Sequence, residues 1–339
     1  MNAPIDPSRL APVRDASAWL AAEMADPTRW TVRLPAAALG ELVDAARRMP
    51  RASLAEISSC EVGRAGLPNA ARACDAIESE VMAGRGFVLI QGLDPELDDN
   101  TLRACYWIML KLMGRPVSQN SYGELLCEVM DQGRRIGEAR TRGYMTSQDL
   151  KFHTDRAAMV TLLCVRQAKS GGRSSICSAT SVYNELLAHR PDLVAALFNG
   201  LNFMSIEEGG ATGATTVRRI PIFDLRDGAL SMRYSRNSMT SAILNGVPFT
   251  ELEKEALEVV DRIANDARFR LDMDFARGDI QAINNFTTLH ARTAFEDHPE
   301  PHLKRRLTRG WVATRIERPL GSHFADYFGI PVTLERPSA

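Results

Sequence analysis

Phe269-Arg-Leu-Asp-Met-Asp-Phe275 decides the fold class: Phe269, Leu271, Met273 and Phe275 alternate with Arg270, Asp272 and Asp274. A period of two fits a strand with one buried face. Gly278-Asp279 then turns the chain into a second candidate strand, Ile280–Asn284. Working outward, Met159-Val-Thr-Leu-Leu-Cys-Val165 is a β-rich run, Gly171-Gly172 predicts a turn, and Ser174-Ser-Ile-Cys177 opens the strand after it. Residues 303–313 alternate again. Before residue 150 the period is helical. Asp15 is placed to cap a helix over 16–24. Leu39, Leu42, Val43 and Ala46 share one face of a helix over 36–49. Asn69 is placed to cap a third helix carrying Ala70, Ala73, Ile77 and Val81, which Gly84 and Gly86 stop before a strand at 87–90. Residues 99–113 and 191–198 read as further helices. Thr250 and Glu253 form a capping box for one reaching about residue 267.

The expected fold is therefore mainly β with surrounding helices (α+β). Strands and helices do not alternate regularly, and no G-x-G-x-x-G follows a strand, so a doubly wound sheet is excluded. We expect a single domain over 1–339, with a helical N-terminal region at 1–85 packed on a core at 86–315 that carries the active site.

Composition narrows the function. Of 339 residues, 45% are hydrophobic and 24% charged, ordinary for a globular chain. Forty-one basic residues against 42 acidic ones leave a net charge of −1, so nothing global predicts a nucleic acid or an anionic membrane as partner. The longest apolar run, Gly86-Phe-Val-Leu-Ile90, has strand length. Met1-Asn-Ala-Pro-Ile-Asp-Pro-Ser is polar and proline-broken, unlike a signal peptide. Six cysteines without C-x-x-C spacing read as reduced thiols of a cytoplasmic protein. No oligomeric state follows, and a homo-oligomer is compatible with the sequence.

The chemistry centres on His153-Thr-Asp155. On a strand, an H-x-D pair presents both side chains to one face. With one distant histidine it makes the 2-His-1-carboxylate triad of non-haem Fe(II) oxygenases, which leaves three metal positions open. Six histidines and 42 acidic residues give about 0.7 chance occurrences of H-x-[DE], so the motif alone decides nothing. The second occurrence, His298-Pro-Glu300, sits in a polar, proline-broken loop, where Pro299 disfavours a central strand. His153 precedes an apolar β-run and is the better ligand. His290 follows a strand and a short turn; taken alone, it reads as a satisfied core histidine. The next strand changes that weighting. In Lys304-Arg-Arg-Leu-Thr-Arg-Gly-Trp311 a period of two puts Arg305, Leu307, Arg309 and Trp311 on one face. Inward arginines require an anion. The alternative register turns Arg306 inward instead.

The order His-x-Asp, Gly-Gly-x-Ser, Gly-Asp-Ile…Asn…Leu-His-x-Arg-Thr-Ala-Phe, Arg-Arg-Leu-x-Arg-x-Trp resembles the taurine dioxygenase-like (clavaminate synthase-like) branch of the Fe(II)/2-oxoglutarate-dependent oxygenases, over roughly 85–315. The resemblance implies a double-stranded β-helix (jelly-roll) core. It implies Fe(II) held by His153, Asp155 and His290, with 2-oxoglutarate and O₂ as cosubstrates. Arg305 would hold the distal carboxylate of 2-oxoglutarate, and Ser174 stands where relatives commonly have a threonine sharing it. Arg309 falls where some relatives contact an anionic substrate; serving 2-oxoglutarate is its alternative role. Asn285 would orient hydrogen bonds around the site or simply hold a turn.

The implied activity oxidises an unactivated C–H bond of a small carboxylate or amino-acid-like substrate, releasing succinate and CO₂. Two other readings stand beside it: a cupin-like metal hydrolase or isomerase without 2-oxoglutarate, and a non-catalytic jelly-roll binding protein. Arg305 and Ser174 discriminate the first, and an intact triad the second. The stretch before His153 lacks the Asn-Val-Trp pattern of the taurine enzymes, which points away from taurine itself. Residues 134–147 and 208–213 read as loops over the site, with Arg134, Arg135, Arg140 and Arg142 as a solvated lid face. Arg233 and Tyr234 read either as pocket-lining or as surface residues.

Overall fold

The computed structural model describes residues 9–136, 141–206, 215–325 and 327–333. Two sheets carry the architecture. The larger runs Thr31–Arg33, Phe87–Gln91, Ile280–Asn284, Met159–Arg166, Arg306–Thr314, Gly114–Pro116, with Leu126–Val129 also paired to Arg306–Thr314. The smaller runs Arg270–Met273, Ser174–Ser178, Thr288–Arg292, Leu150–His153.

The strand period sorts side chains into layers. Val88 and Ile90 face one way, with Leu163, Val165, Ile280 and Ala282, against helices Ala36–Arg48, Pro68–Ala83 and Asp99–Met113. Phe87 and Leu89 face the other way, and cluster with Val160, Ile283, Leu307 and Trp311 of the same sheet and with Ile176 and Met273 of the smaller one. The two sheets thus bury a common interior. Cys177, Leu289 and Phe152, on the outer face of the smaller sheet, pack on helices Ala179–His189, Pro191–Phe198 and Glu251–Asn265. The result is a mixed α/β fold with two facing sheets between helical layers. Gly310 permits the close approach of one such layer, since a Cβ there would lie 2.3 Å from Leu110 Cδ1. No helix among the described residues is long and apolar enough to cross a membrane.

Two expected helix starts are corrected. Asp15 turns its carboxylate onto the Ser17 backbone N–H and hydroxyl, and only a 3-10 turn, Ala21–Met24, forms in that stretch. The helix expected to start after an Asn69 cap begins two residues earlier, at Pro68 with Leu67 in the N-cap position, and its capping side chain comes from another helix. Glu41 accepts from the Asn69 and Ala70 backbone N–H groups and from the Asn69 side chain. A carboxylate at a helix N-terminus satisfies orphan donors and complements the dipole. The expected loop at 208–213 lies outside the described residues, as does Arg140.

Candidate metal centre

His153 ends strand Leu150–His153, which carries a bulge. His290 pairs with His153, yet Arg292 pairs with Leu150, so Lys151 and Phe152 together oppose the single residue Ala291. The extra residue lets Leu150 and His153 both line the interior cavity while Phe152 faces the outer helices. His290 and Arg292, two apart on strand Thr288–Arg292, share the inner face.

The ligand atoms of His153, Asp155 and His290 all lie within 4.8 Å of one another, the one such group of histidine, cysteine and carboxylate side chains among the described residues. Asp155 stands 3.9 Å from His153 Nε2 and 3.7 Å from His290 Nε2. His153 Nδ1 lies 2.8 Å from the Lys151 carbonyl. A carbonyl only accepts, so Nδ1 carries the proton and Nε2 is left as a ligand. Burial disfavours the charge on Asp155, but Arg309 and the two imidazoles outweigh it and hold the carboxyl below its ordinary range. Burial, then the neighbouring His153 and Arg309, push His290 down to about 3. The group is thus an ionised carboxylate beside a neutral His290, a donor set that suits a divalent cation.

Asn285, fully buried, grips the chain around Asp155. Its Oδ1 accepts from the Asp155 N–H at 2.9 Å, and its Nδ2 donates to the Asp155 and Ala157 carbonyls at 2.7 and 2.8 Å. Its hydrogen bonds go to backbone rather than to a ligand atom.

Arg305 is 4% exposed and lines the same cavity. Its Nη1 has no hydrogen-bond partner, its Nη2 reaches the Gly172 carbonyl at 3.4 Å, and its guanidinium lies 4.9 Å from the Phe295 ring centre. Ser174 borders the cavity and donates to Gln281 at 3.2 Å. Arg292 stacks on the same Phe295 ring at 4.8 Å. Burial pushes Arg305 down to about 10; burial and the Arg305 charge push Arg292 down to about 9. Guanidinium groups do not lose their protons in proteins, so this pressure marks a place that wants an anion. A divalent cation at the triad and a carboxylate at the arginines fit the residues present.

Arg309 stands beside the triad. Its Nη1 lies 3.3 Å from Asp155 Oδ2, its Nε donates to Gln119 at 2.7 Å, and its guanidinium lies between Tyr144 and Trp311 at 5.0 and 4.9 Å. Trp311 Nε1 also donates to Asp155 Oδ2, at 3.1 Å. The remaining lining is largely apolar: Val129, Leu150, Val160, Leu162, Phe275 and Leu307.

Other residues singled out in the sequence lie elsewhere. His298 is not part of the triad group. Arg233 and Tyr234 are buried but do not line the cavity, which removes the surface reading. Arg233 packs over Tyr327 and Phe203, and the Tyr234 hydroxyl donates to Asp261 at 2.6 Å. Arg134 and Arg135 are exposed. Gln119, Tyr144, Phe295 and Arg292 escaped the sequence reading. Arg292 and Phe295 stood in the quoted Leu-His-x-Arg-Thr-Ala-Phe stretch without being given a role, and Arg292 also lies two residues from His290 on a strand.

The chain is 28% identical over 309 residues to FR-33289 synthase of Streptomyces rubellomurinus, covering 89% of this chain and 90% of that protein. It is 26% identical over 246 residues to the taurine hydroxylase-like protein SAT17 of Stachybotrys chartarum, covering 66% of this chain and 60% of that one. Among solved structures, asparagine oxygenase in complex with Fe(II), 2S,3S-3-hydroxyasparagine and succinate superposes with a TM-score of 0.64 at 16% identity, over 90% of this chain and all of that one. The non-heme iron oxygenase OrfP in complex with Fe and alpha-ketoglutaric acid gives 0.62 at 16% identity, over 83% and 93%. At such identities the likeness shows a shared fold. Residues 67–311 match the taurine catabolism dioxygenase TauD, TfdA family. That match takes in most of the chain, and the chain belongs to this family.

Proposed function

We propose that the chain is an Fe(II)- and 2-oxoglutarate-dependent oxygenase acting on a small carboxylate or amino-acid-like substrate, by hydroxylation, desaturation or ring closure. The observation that carries this reading is the pairing, in one cavity, of the His153–Asp155–His290 group with the unpartnered guanidinium N–H of Arg305. A metal hydrolase has no use for a buried carboxylate clamp at that place. The triad would hold the iron, while Arg305 and Ser174 take the distal carboxylate of 2-oxoglutarate. Bound together with O₂, these groups supply the oxidising power to break an unactivated C–H bond, with release of succinate and CO₂.

The chain's own residues do the rest. Trp311 and Arg309 hold the Asp155 carboxylate, and Asn285 holds its backbone. Arg309 also offers a fixed positive charge beside the triad, where it anchors an anionic substrate group. Val160, Leu162, Phe275 and Leu307 keep water from the reacting bond. Asp155 occupies the position that a halide would need, which favours oxygenation-type outcomes over halogenation. Solved neighbours of the same fold were crystallised with hydroxyasparagine and with (3S)-hydroxy-L-Arg, which supports an amino-acid-like substrate. The two facing sheets support a jelly-roll core within a single oxygenase unit, the N-terminal helices packed on it. Six unpaired cysteines support a cytoplasmic location.

The test is anaerobic. Fe(II) and 2-oxoglutarate added to the apoprotein are expected to give the visible charge-transfer band of the chelate. Aerobic screening of amino acids and other carboxylic acids is expected to find one that accelerates succinate release. A protein that binds iron but gives no band with 2-oxoglutarate overturns the reading.

A further inference from the structure

Arg292 has work left over in the reading above. Its Nη2 donates to the Thr146 carbonyl at 2.8 Å and to the Gln148 carbonyl. Its Nε and Nη1 are buried without a hydrogen-bond partner, in a residue only 7% exposed that lines the cavity. Leaving two charged donors unmet is costly unless something arrives to meet them. The position tells what arrives. In the strand ladder Arg292 is the direct partner of Ser174, so their side chains share one face at one depth. Arg305 meets them through Phe295, whose ring both guanidinium groups contact. The nearby carboxylate of Asp297 accepts from the Arg305 backbone N–H at 2.7 Å and bonds neither guanidinium. Asp131 and Asp149 also act on the Arg292 charge from nearby, yet none of these carboxylates bonds Nε or Nη1, so the two donors stay unmet on the cavity side.

We propose that Arg292 is a second donor to the distal carboxylate of the cosubstrate, and that it ties this carboxylate to the loop bordering the metal centre. The proposal rests on 2-oxoglutarate being the cosubstrate. Thr146 and Gln148 lie between Tyr144, whose ring covers Arg309, and the ligand His153. The Phe295 N–H donates to the Ser147 carbonyl at 3.0 Å, which fastens the same segment to the arginine platform. A carboxylate on Nε and Nη1 therefore acts on a side chain that already holds the loop. Cosubstrate binding thereby orders the wall against which substrate docks.

The experiment titrates the anaerobic Fe(II) protein with 2-oxoglutarate and with 2-oxobutyrate, a 2-oxo acid without the distal carboxylate, following the charge-transfer band. Arg292→Gln is expected to weaken 2-oxoglutarate by about tenfold or more while shifting 2-oxobutyrate by less than about threefold, since only the former has the bond to lose. Arg292→Lys, which keeps the charge but not the fork, is expected to fall between, and carries the same comparison should the glutamine variant not fold. Limited proteolysis within 141–148 is expected to be suppressed by 2-oxoglutarate in the wild type and not in Arg292→Gln. Unchanged 2-oxoglutarate affinity, or an equal loss for both acids, overturns the proposal. A wild type that binds neither acid overturns the oxygenase reading itself.

Discussion

Gly172 and Arg305 fit against each other with no space for a methyl group. A Cβ on Gly172 would lie 2.9 Å from Arg305 Nε and 3.3 Å from its Cδ, and Gly172 has a φ of +72°. The second glycine of the Gly-Gly-x-Ser motif thus gives the turn one of its two left-handed residues, Gly171 being the other at +74°, and gives the guanidinium its seat. Gly172→Ala combines left-handed strain of roughly 1–2 kcal/mol with a displaced Arg305. We expect a lowered melting temperature and weaker 2-oxoglutarate binding with iron affinity retained, read by calorimetric titration of each ligand.

Arg305→Ala should raise the 2-oxoglutarate requirement by at least about tenfold, because a charge-assisted bond contributes about 1.5–3 kcal/mol. Arg306→Ala should leave it unchanged. Arg306 points to the opposite side, with its Nε 3.7 Å from Glu128. The reverse pattern in cosubstrate kinetics would place the clamp on the wrong residue.

His153→Ala and Asp155→Ala should abolish turnover and sharply weaken iron binding, measured as metal retained after dialysis. His298→Ala should do neither. Iron loss confined to His298→Ala would move the metal centre to the other H-x-E/D motif.

Asn285→Ala should destabilise the fold by several kcal/mol, since it strands the buried N–H and carbonyl of Asp155 and the Ala157 carbonyl at about 1–3 kcal/mol each. Iron affinity should fall with it, because the turn carrying Asp155 loses its grip. A variant with native melting temperature but poor iron binding would show that Asn285 acts on the metal rather than on the backbone.

Arg309→Gln should raise the substrate Michaelis constant while leaving that for 2-oxoglutarate in place. Steady-state kinetics varied in each ligand separates the two. An effect on 2-oxoglutarate alone would assign Arg309 to the cosubstrate.

What the sequence made legible follows from period and spacing. Phe87 and Val88 fall into different hydrophobic clusters because successive strand residues point to opposite faces, and that rule is local. The same rule grouped Arg305 with Leu307, Arg309 and Trp311. It fails where a partner lies far along the chain. Gln119 and Arg309 are 190 residues apart, and nothing near either foretells their bond. Glu41 caps a helix 28 residues downstream, so Asn69 looked like a cap that it is not. The bulge before His153 is likewise invisible, since it exists only relative to its neighbour strand.

Strand Phe87–Gln91 sits between Thr31–Arg33 and Ile280–Asn284, and Arg306–Thr314 completes the sheet on the far side of Met159–Arg166. A chain emerging from the ribosome N-terminus first therefore makes Phe87–Gln91 long before its inner neighbour exists. His153 and Asp155 likewise wait for His290, and Arg309 and Trp311 come later still. Pairings that span so much chain form slowly, because a long loop must close before any contact rewards it. The candidate metal-binding group thus comes together only after residue 290 has been made. A polypeptide that stops before His290 lacks one of the three side chains of the group, and with it the pairing of Thr288–Arg292 that sets His153 in place.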